Sequence, residues 1–571
     1  MNRRTAWLVA AGVAAVALGA AAVGAVALLV RGGGRSSGAV FASGGYLALE
    51  LAGDMPEGPA PGSLGFFERR PPSIRALVEA VDRAARDRRV EGLLLRVGRL
   101  ETGWARAQEL RDALLRFRRS GKPSWAHLED ASNLEYFVAT GCAKIAASPH
   151  SMLDVSGLAA EVTFFRGTLD KLGIEAQFEG VGRYKNAPNQ MTETGFTEPH
   201  REQMNALVDS FFAQYAAGIA EGRGLEDDAV RALIDRGPFR ASEAKHAGLV
   251  DELLYRDEVE ARVPGGNRLS PGPYVRAARG RAFDRRPRLA LVFAAGELMA
   301  GDSQEGPFGR VAGADSIIRG LRAARDDDSV RAIILRVDSP GGSGTASDAV
   351  WREVQVSRRE KPVIASMGDY AASGGFYVAM GADAIVAEPG TITGSIGVFS
   401  GKLSFRGLYA KLGLSQEAVS RGRNASLFSS YEPWTEAERA KVRQMNQAFY
   451  ETFVSKAAEG RGKTPAEIEA VAQGRVWSGR EALDGGLVDA LGGLEAAVRI
   501  ARERARIPVG QDVQLVVLPE TQGFFEAFME RQDEDVQLRA LGREGASLLR
   551  WGAALAERGP IARLPFELAV R

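Results

Sequence analysis

"VRAIILRVDSPGGSG", residues 330–344, joins an eight-residue run, apolar but for Arg331 and Arg336, to a Pro-Gly-Gly loop. Leu and Ile fill both the odd and even positions of the run. It therefore reads as a short strand buried on both faces, the kind found in parallel sheets. The same run stands 240 residues upstream as "VEGLLLRV", Val90–Val97 against Val330–Val337. "YFVATGCAKI" from Tyr136 matches "FYVAMGADAI" from Phe376, and "KLGIEA" from Lys171 matches "KLGLSQ" from Lys411, both again at 240. Further on, "AEGRG" recurs at Ala220 and Ala458 and "GLVD" at Gly248 and Gly486, both at an offset of 238. One spacing kept through unlike segments is the mark of an internal duplication.

Strand-like and helix-like stretches alternate around the opening run. "RLALVFAAG" and "RAIILRV" read as strands, with the helical pattern "ADSIIRGLRAARDD" between them. "ASDAVWREVQVSRRE" reads as a helix, "KPVIASMG" as the next strand, and "SGGFYVAMGA" as a helix opening. This order predicts an α/β fold with a parallel core in each copy. Four segments follow: an N-terminal anchor and tether over 1–38, a first copy over 39–285, a second over 286–510, and a tail over 511–571. The tail lies outside the repeat, and its stretch 524–557 has an amphipathic helical pattern.

The N-terminal segment carries 25 uncharged residues, Ala6–Val30, after "MNRRT". As a helix this would span ~37 Å, enough for a hydrocarbon core of ~30 Å. It is longer than the ~7–15 residues usual in a cleaved signal peptide, so a retained anchor is expected. Arg3 and Arg4 before the span and Arg31 and Arg35 after it leave its orientation unsettled. "RGGGRSSG" reads as a flexible tether. The net charge of +1 provides no electrostatic footprint for nucleic acid. The lone Cys142 excludes an intrachain disulfide. There is no phosphate-loop motif and no metal-ligand spacing, so neither a cofactor nor a metal is expected.

The two copies differ where chemistry would sit. Ser373, in "MGDYAASGGFYVAMGADAI", faces Asn133 at the 240 offset, and "DSPGGSG" faces "GRLETGW". Conversely, Lys185 in "GVGRYKNAP" faces Ala425. The second copy offers a hydroxyl and a glycine loop, the first a lysine, a pattern that suits one composite site. A serine nucleophile needs a base, and none of the four histidines (His127, His150, His200, His246) stands in a catalytic motif. A lysine can serve when burial lowers its pKa. Backbone N–H groups of Gly341, Gly342 and Gly374 are unshielded by side chains and suit an oxyanion hole.

"RVDSPGGSG", "SMGDYAASGGFYVAMGAD" and "TGSIGVF" resemble the signal peptide peptidase A (protease IV) family, and "GRYKNA" resembles the lysine motif of its long, duplicated form. The resemblance covers about residues 45–510. It implies a ClpP/crotonase-like fold in both halves and a serine endopeptidase with a Ser/Lys dyad. Ser373 would be the nucleophile, Lys185 the general base, and Ser395 the serine that orients the lysine. It further implies peptide substrates such as released signal peptides and a bowl of four chains. That bowl would sit on the bacterial inner membrane with its catalytic domains on the periplasmic side. "HLEDASNLEYF" in the first copy and "NAPNQMTETGF" after the lysine depart from the pattern. Three rivals remain. A Clp-type Ser-His-Asp peptidase needs a histidine after the serine, and "AEPGTITGSIGVF" has none. A crotonase-type acyl-CoA enzyme needs neither anchor nor serine. A non-catalytic membrane scaffold would not need Ser373, Gly341, Gly342 and Lys185 together.

Overall fold

The opening run forms the strand Val330–Ser339, whose Ile333, Ile334, Leu335 and Val337 are fully buried. Its upstream match forms Val90–Leu100, with Leu93 and Leu95 equally buried. The computed structural model describes residues 44–58, 72–279, 286–306, 309–519 and 561–563. The apolar span Ala6–Val30 and the amphipathic stretch 524–557 lie outside them. Among the described residues no helix is long and apolar enough to cross a membrane.

Each copy is built on its own sheet. The first has six strands, all paired in parallel, in the order Glu252–Leu253, Lys144–Ala147, Ser124–Leu128, Val90–Leu100, Gly45–Gly53, Arg268–Leu269. In the second, Ile392–Gly394, Val363–Ala372, Val330–Ser339 and Arg288–Ala295 run parallel side by side. The helices also repeat: Ile74–Arg86 answers Ala314–Asp326, and Trp104–Arg119 answers Gly344–Ser357. Glu198–Arg223 and Glu436–Arg461 are 26 residues each. The repeated "AEGRG" is their common end, where Gly224 (φ 65°) and Gly462 (φ 62°) take the left-handed C-cap conformation that glycine adopts without a Cβ clash.

One element departs from the expected helical tail. Gln514–Leu518 is a strand that pairs in parallel with Arg288–Ala295 at the edge of the second copy's sheet. Its "LVVL" run is short, apolar and rich in β-branched valine, and the open edge supplies the hydrogen-bond partners.

The copies are joined by a third sheet. Glu175–Val181 of the first copy pairs antiparallel with Val398–Ser404 of the second, from Glu175 opposite Ser404 to Val181 opposite Val398. A buried ion cluster seals the contact elsewhere. Arg336 Nε and Nη2 donate to the Glu57 carboxylate (2.7 and 3.0 Å), Nη2 also to Glu109 (2.7 Å), and Nη1 to Ser366 Oγ (2.9 Å). A buried charge is tolerable only when paired and fully hydrogen-bonded in this way. The matching Arg96 of the first copy remains partly exposed and pairs with Glu50.

Candidate active site

Ser373 ends the strand Val363–Ala372 and caps the helix Gly374–Ala379. Its backbone sits at φ 55°, ψ −112°, a region a serine occupies at a cost of about 1–3 kcal/mol. Two bonds hold it there: Ser373 N–H donates to Gly394 O at 2.8 Å, and Tyr377 N–H donates to Ser373 O at 2.8 Å. The second glycine of the pair after it is a packing requirement. A Cβ on Gly375 would stand 2.5 Å from Ser339 O.

Lys185 arrives from the other copy. The joining strand ends at Val181, and the chain turns at Gly182 (φ 109°) against Gln473, whose carbonyl accepts from Tyr184 N–H at 2.7 Å. Gly474 (φ 75°) lies flat on the lysine backbone, where a Cβ would come within 2.6 Å of Lys185 N. Lys185 Nζ is thereby set 2.8 Å from Ser373 Oγ. It also lies 3.0 Å from Ser395 Oγ and 3.2 Å from Ser395 O. Lys185, Ser373 and Ser395 are all buried. Desolvation pushes the lysine pKa well below its ordinary value, because burial disfavours the ammonium. Ser395, like Ser373, has a positive φ (51°).

The three glycines flank this point. Gly341 (φ 104°) and Gly342 (φ 152°) form the short strand Gly341–Ser343, and a Cβ on Gly342 would strike Leu298 O at 2.1 Å. Gly341 N–H donates to Ser339 Oγ at 3.2 Å. Gly374 opens the helix directly after Ser373. The strand Ile561–Arg563 lies antiparallel to Gly341–Ser343 and also reaches Val398–Ser404, with Ile561 opposite Phe399.

The histidines lie elsewhere. His127 is buried beside Leu254 O at 3.3 Å, His200 packs its ring on Phe196 with 4.8 Å between centroids, and His150 and His246 are exposed. Among the described residues no group of three or more His, Cys, Asp or Glu could hold a metal ion.

The first copy is built differently at the corresponding turn. Glu135 stands 240 residues before Gly375, and its carboxylate accepts from Leu100 N–H at 2.6 Å and Ser132 N–H at 3.0 Å. These two donors align with Pro340 and Ala372 of the second copy, not with its three glycines, and the Ser132 bond is half of a helix capping box. Asn133, opposite Ser373 in the repeat, is engaged by Tyr215 Oη at 2.9 Å and by Gly157 O at 2.8 Å. Sequence reasoning missed Gln473 and Gly474, since no local signal ties them to a lysine so far upstream.

The family described as Peptidase family S49 matches residues 116–269 and again 355–508. The chain is 34% identical over 458 residues to the chloroplastic serine protease SPPA of Arabidopsis thaliana, covering 78% of this chain and 68% of that one. It is 32% identical to protease 4 of Salmonella typhi, covering 76% and 72%, and 29% identical to protease 4 of Haemophilus influenzae, covering 75% and 72%.

Proposed function

The chain belongs to peptidase family S49, a duplicated serine peptidase by its relatives, and from that premise we propose that it hydrolyses peptide bonds with Ser373 as nucleophile and Lys185 as general base. The observation that carries this reading is the 2.8 Å separation of Lys185 Nζ and Ser373 Oγ around a desolvated amine. The neutral amine takes the Oγ proton as Oγ attacks the scissile carbonyl carbon. The carbonyl oxygen becomes an oxyanion, held by the N–H of Gly374 and by the Gly341–Gly342 loop. Lys185 then returns the proton to the leaving amine, and an acyl-enzyme remains. Water attacks the ester carbonyl and gives a proton to Lys185; the intermediate then collapses, releasing the acid as Lys185 returns that proton to Ser373 Oγ. Ser395 keeps Nζ aimed at Oγ throughout. The same amine can serve as base and acid because its pKa lies nearer the working pH than a free lysine's.

The substrates of this reading are extended, mainly apolar peptides such as released signal peptides. Two features support it: the motif resemblance, and the antiparallel strand already seated beside Gly341–Ser343, which is the way a peptide adds to a sheet edge. Ala6–Val30 would anchor the chain in the bacterial inner membrane with both copies on the periplasmic side. Each copy, over about 39–285 and 286–510, would be ClpP/crotonase-like, and four chains would form the bowl.

The direct test is a fluorophosphonate probe on the detergent-solubilised protein. Labelling at Ser373, lost in Lys185→Ala with the fold intact, is the expected result. Well-folded protein that does not label would overturn the reading.

A further inference from the structure

We infer that Arg106, contributed by the copy that lacks the serine, is a positioning residue for the chemistry at Ser373. It gathers the Asp369 and Asp338 carboxylates and so fixes the nucleophile strand against the oxyanion loop. The inference rests on the proposed roles of Ser373 and of the Gly341–Gly342 loop.

Asp369 lies on the strand Val363–Ala372, four residues before Ser373. Its carboxylate is held from the first copy by three donors: Gly103 N–H and Arg106 N–H, both at 2.9 Å, and Arg106 Nε at close range. Asp338 lies at the end of the strand that leads into the glycine loop. It accepts from Tyr370 N–H at 3.0 Å, tying that strand end to the nucleophile strand, and stands 3.8 Å from Arg106 Nη2. The same guanidinium faces Glu57 at 3.9 Å and Asp54 at 3.1 Å, and donates to Met55 O at 2.7 Å. One cation therefore serves four carboxylates from three segments.

Two glycines show that the cluster is built for close approach. A Cβ on Gly103 would stand 2.3 Å from Asp369 Cγ. One on Gly368 would stand 2.6 Å from Glu57 Oε1 and 2.9 Å from Asp338 Oδ1.

The charge balance explains why the arginine matters. Asp338 is half-buried, its side chain 15% exposed, and its pKa is pushed up to about 7. Desolvation is the largest cause, Arg106 opposes it, and Glu57 and Asp369 add to it. Glu57 is partly neutralised by Arg336, which it also pairs with. Without Arg106, Asp338 and Asp369 face each other and Glu57 with their main cation gone. Asp338 then repels both neighbours when it is ionised and no longer does so when it is protonated. Repulsion would part the two strand ends that carry the nucleophile and the oxyanion donors. The loss should therefore grow as pH rises.

The experiment compares wild type, Arg106→Met, Arg106→Lys and the double variant Arg106→Met/Asp338→Asn, between about pH 6 and pH 9. Thermal unfolding is recorded for each. Arg106→Met should lower kcat by about 10–100-fold with KM within about 3-fold, the span expected of a misplaced but intact site. The deficit should deepen with pH. Adding Asp338→Asn removes one like charge and should recover kcat at high pH at least about fivefold. Arg106→Lys should show a smaller loss of the same sign. If Arg106→Met does not fold, Arg106→Lys carries the test. A pH-independent loss, or one that Asp338→Asn leaves unrelieved, would overturn the inference. So would unchanged kcat in a folded variant. Fluorophosphonate labelling separates the two readings: wild type unlabelled at Ser373 defeats the Ser/Lys assignment, whereas wild type and Arg106→Met labelling at equal rates defeats the role of Arg106 alone.

Discussion

Lys185 illustrates how burial alone tunes a residue. A lysine free in water titrates near pH 10.4, so almost none is available as a base at neutrality. Desolvation lowers that value. The rate should then rise with pH and level off below the ordinary lysine range, as read from kcat/KM. A midpoint near 10.4 would mean an untuned amine. Lys185→Arg should be nearly inactive although it keeps the charge, because guanidinium does not give up its proton. The same shift has a cost in stability. Between the depressed folded value and the ordinary one, the unfolded chain binds more protons, so stability rises with pH across that window and is lost as pH falls through it. Lys185→Met should flatten this dependence and be the more stable protein on the acid side, measured by urea midpoints at several pH values. Ser395→Ala removes the bond at 3.0 Å to Nζ. Such a loss, at ~1.5–3 kcal/mol for a bond to an ionisable partner, corresponds to about 10–100-fold in kcat.

At the scale of elements, the site depends on two junctions: the strand-to-helix turn at Ser373, and the end of the interdomain strand Glu175–Val181, where the chain turns to present Lys185. Gly474 governs the second. Gly474→Ala would place a Cβ 2.6 Å from Lys185 N at a φ of 75°. It should lower kcat by at least about tenfold through displacement of Nζ, on top of a positive-φ penalty of ~1–2 kcal/mol. Gly224→Ala is the control. Its φ is 65°, and no atom lies within 4 Å of the added Cβ. It should show the stability loss in a melting curve and leave kcat unchanged.

On the scale of the whole molecule, the lysine and the serine meet within one chain, 188 residues apart. Mixing Ser373→Ala chains with Lys185→Ala chains, then dissociating and reassembling them, should therefore leave activity at background. Recovery with confirmed subunit exchange would place the dyad between chains. A second consequence concerns the strand Ile561–Arg563, which lies between Gly341–Ser343 and Val398–Ser404. A peptide adding to the same edge must displace it. Deleting residues 561–571 should lower KM several-fold with kcat little changed, measured on a signal-peptide-like substrate.

The sequence by itself determined the duplication, the alternation of strands and helices, and the split of hydroxyl and amine between copies. These features are written locally, in hydrophobic period and in a repeated spacing. It also pointed to Ser373, Lys185 and Ser395 by their motifs, and the fold brings these three within hydrogen-bond reach. Tertiary structure decided what no local pattern encodes. Arg96 and Arg336 hold the same place in the repeat, yet one stays partly exposed and the other is buried between Glu57 and Glu109, because only the second is covered by its neighbour. "LVVL" in 515–518 became a strand because an edge was open to it. Gly474 touches Lys185, and Arg106 touches Asp369, through registers set by packing two sheets together. A side chain's partners at long range depend on how whole surfaces dock, and period and propensity carry no record of that.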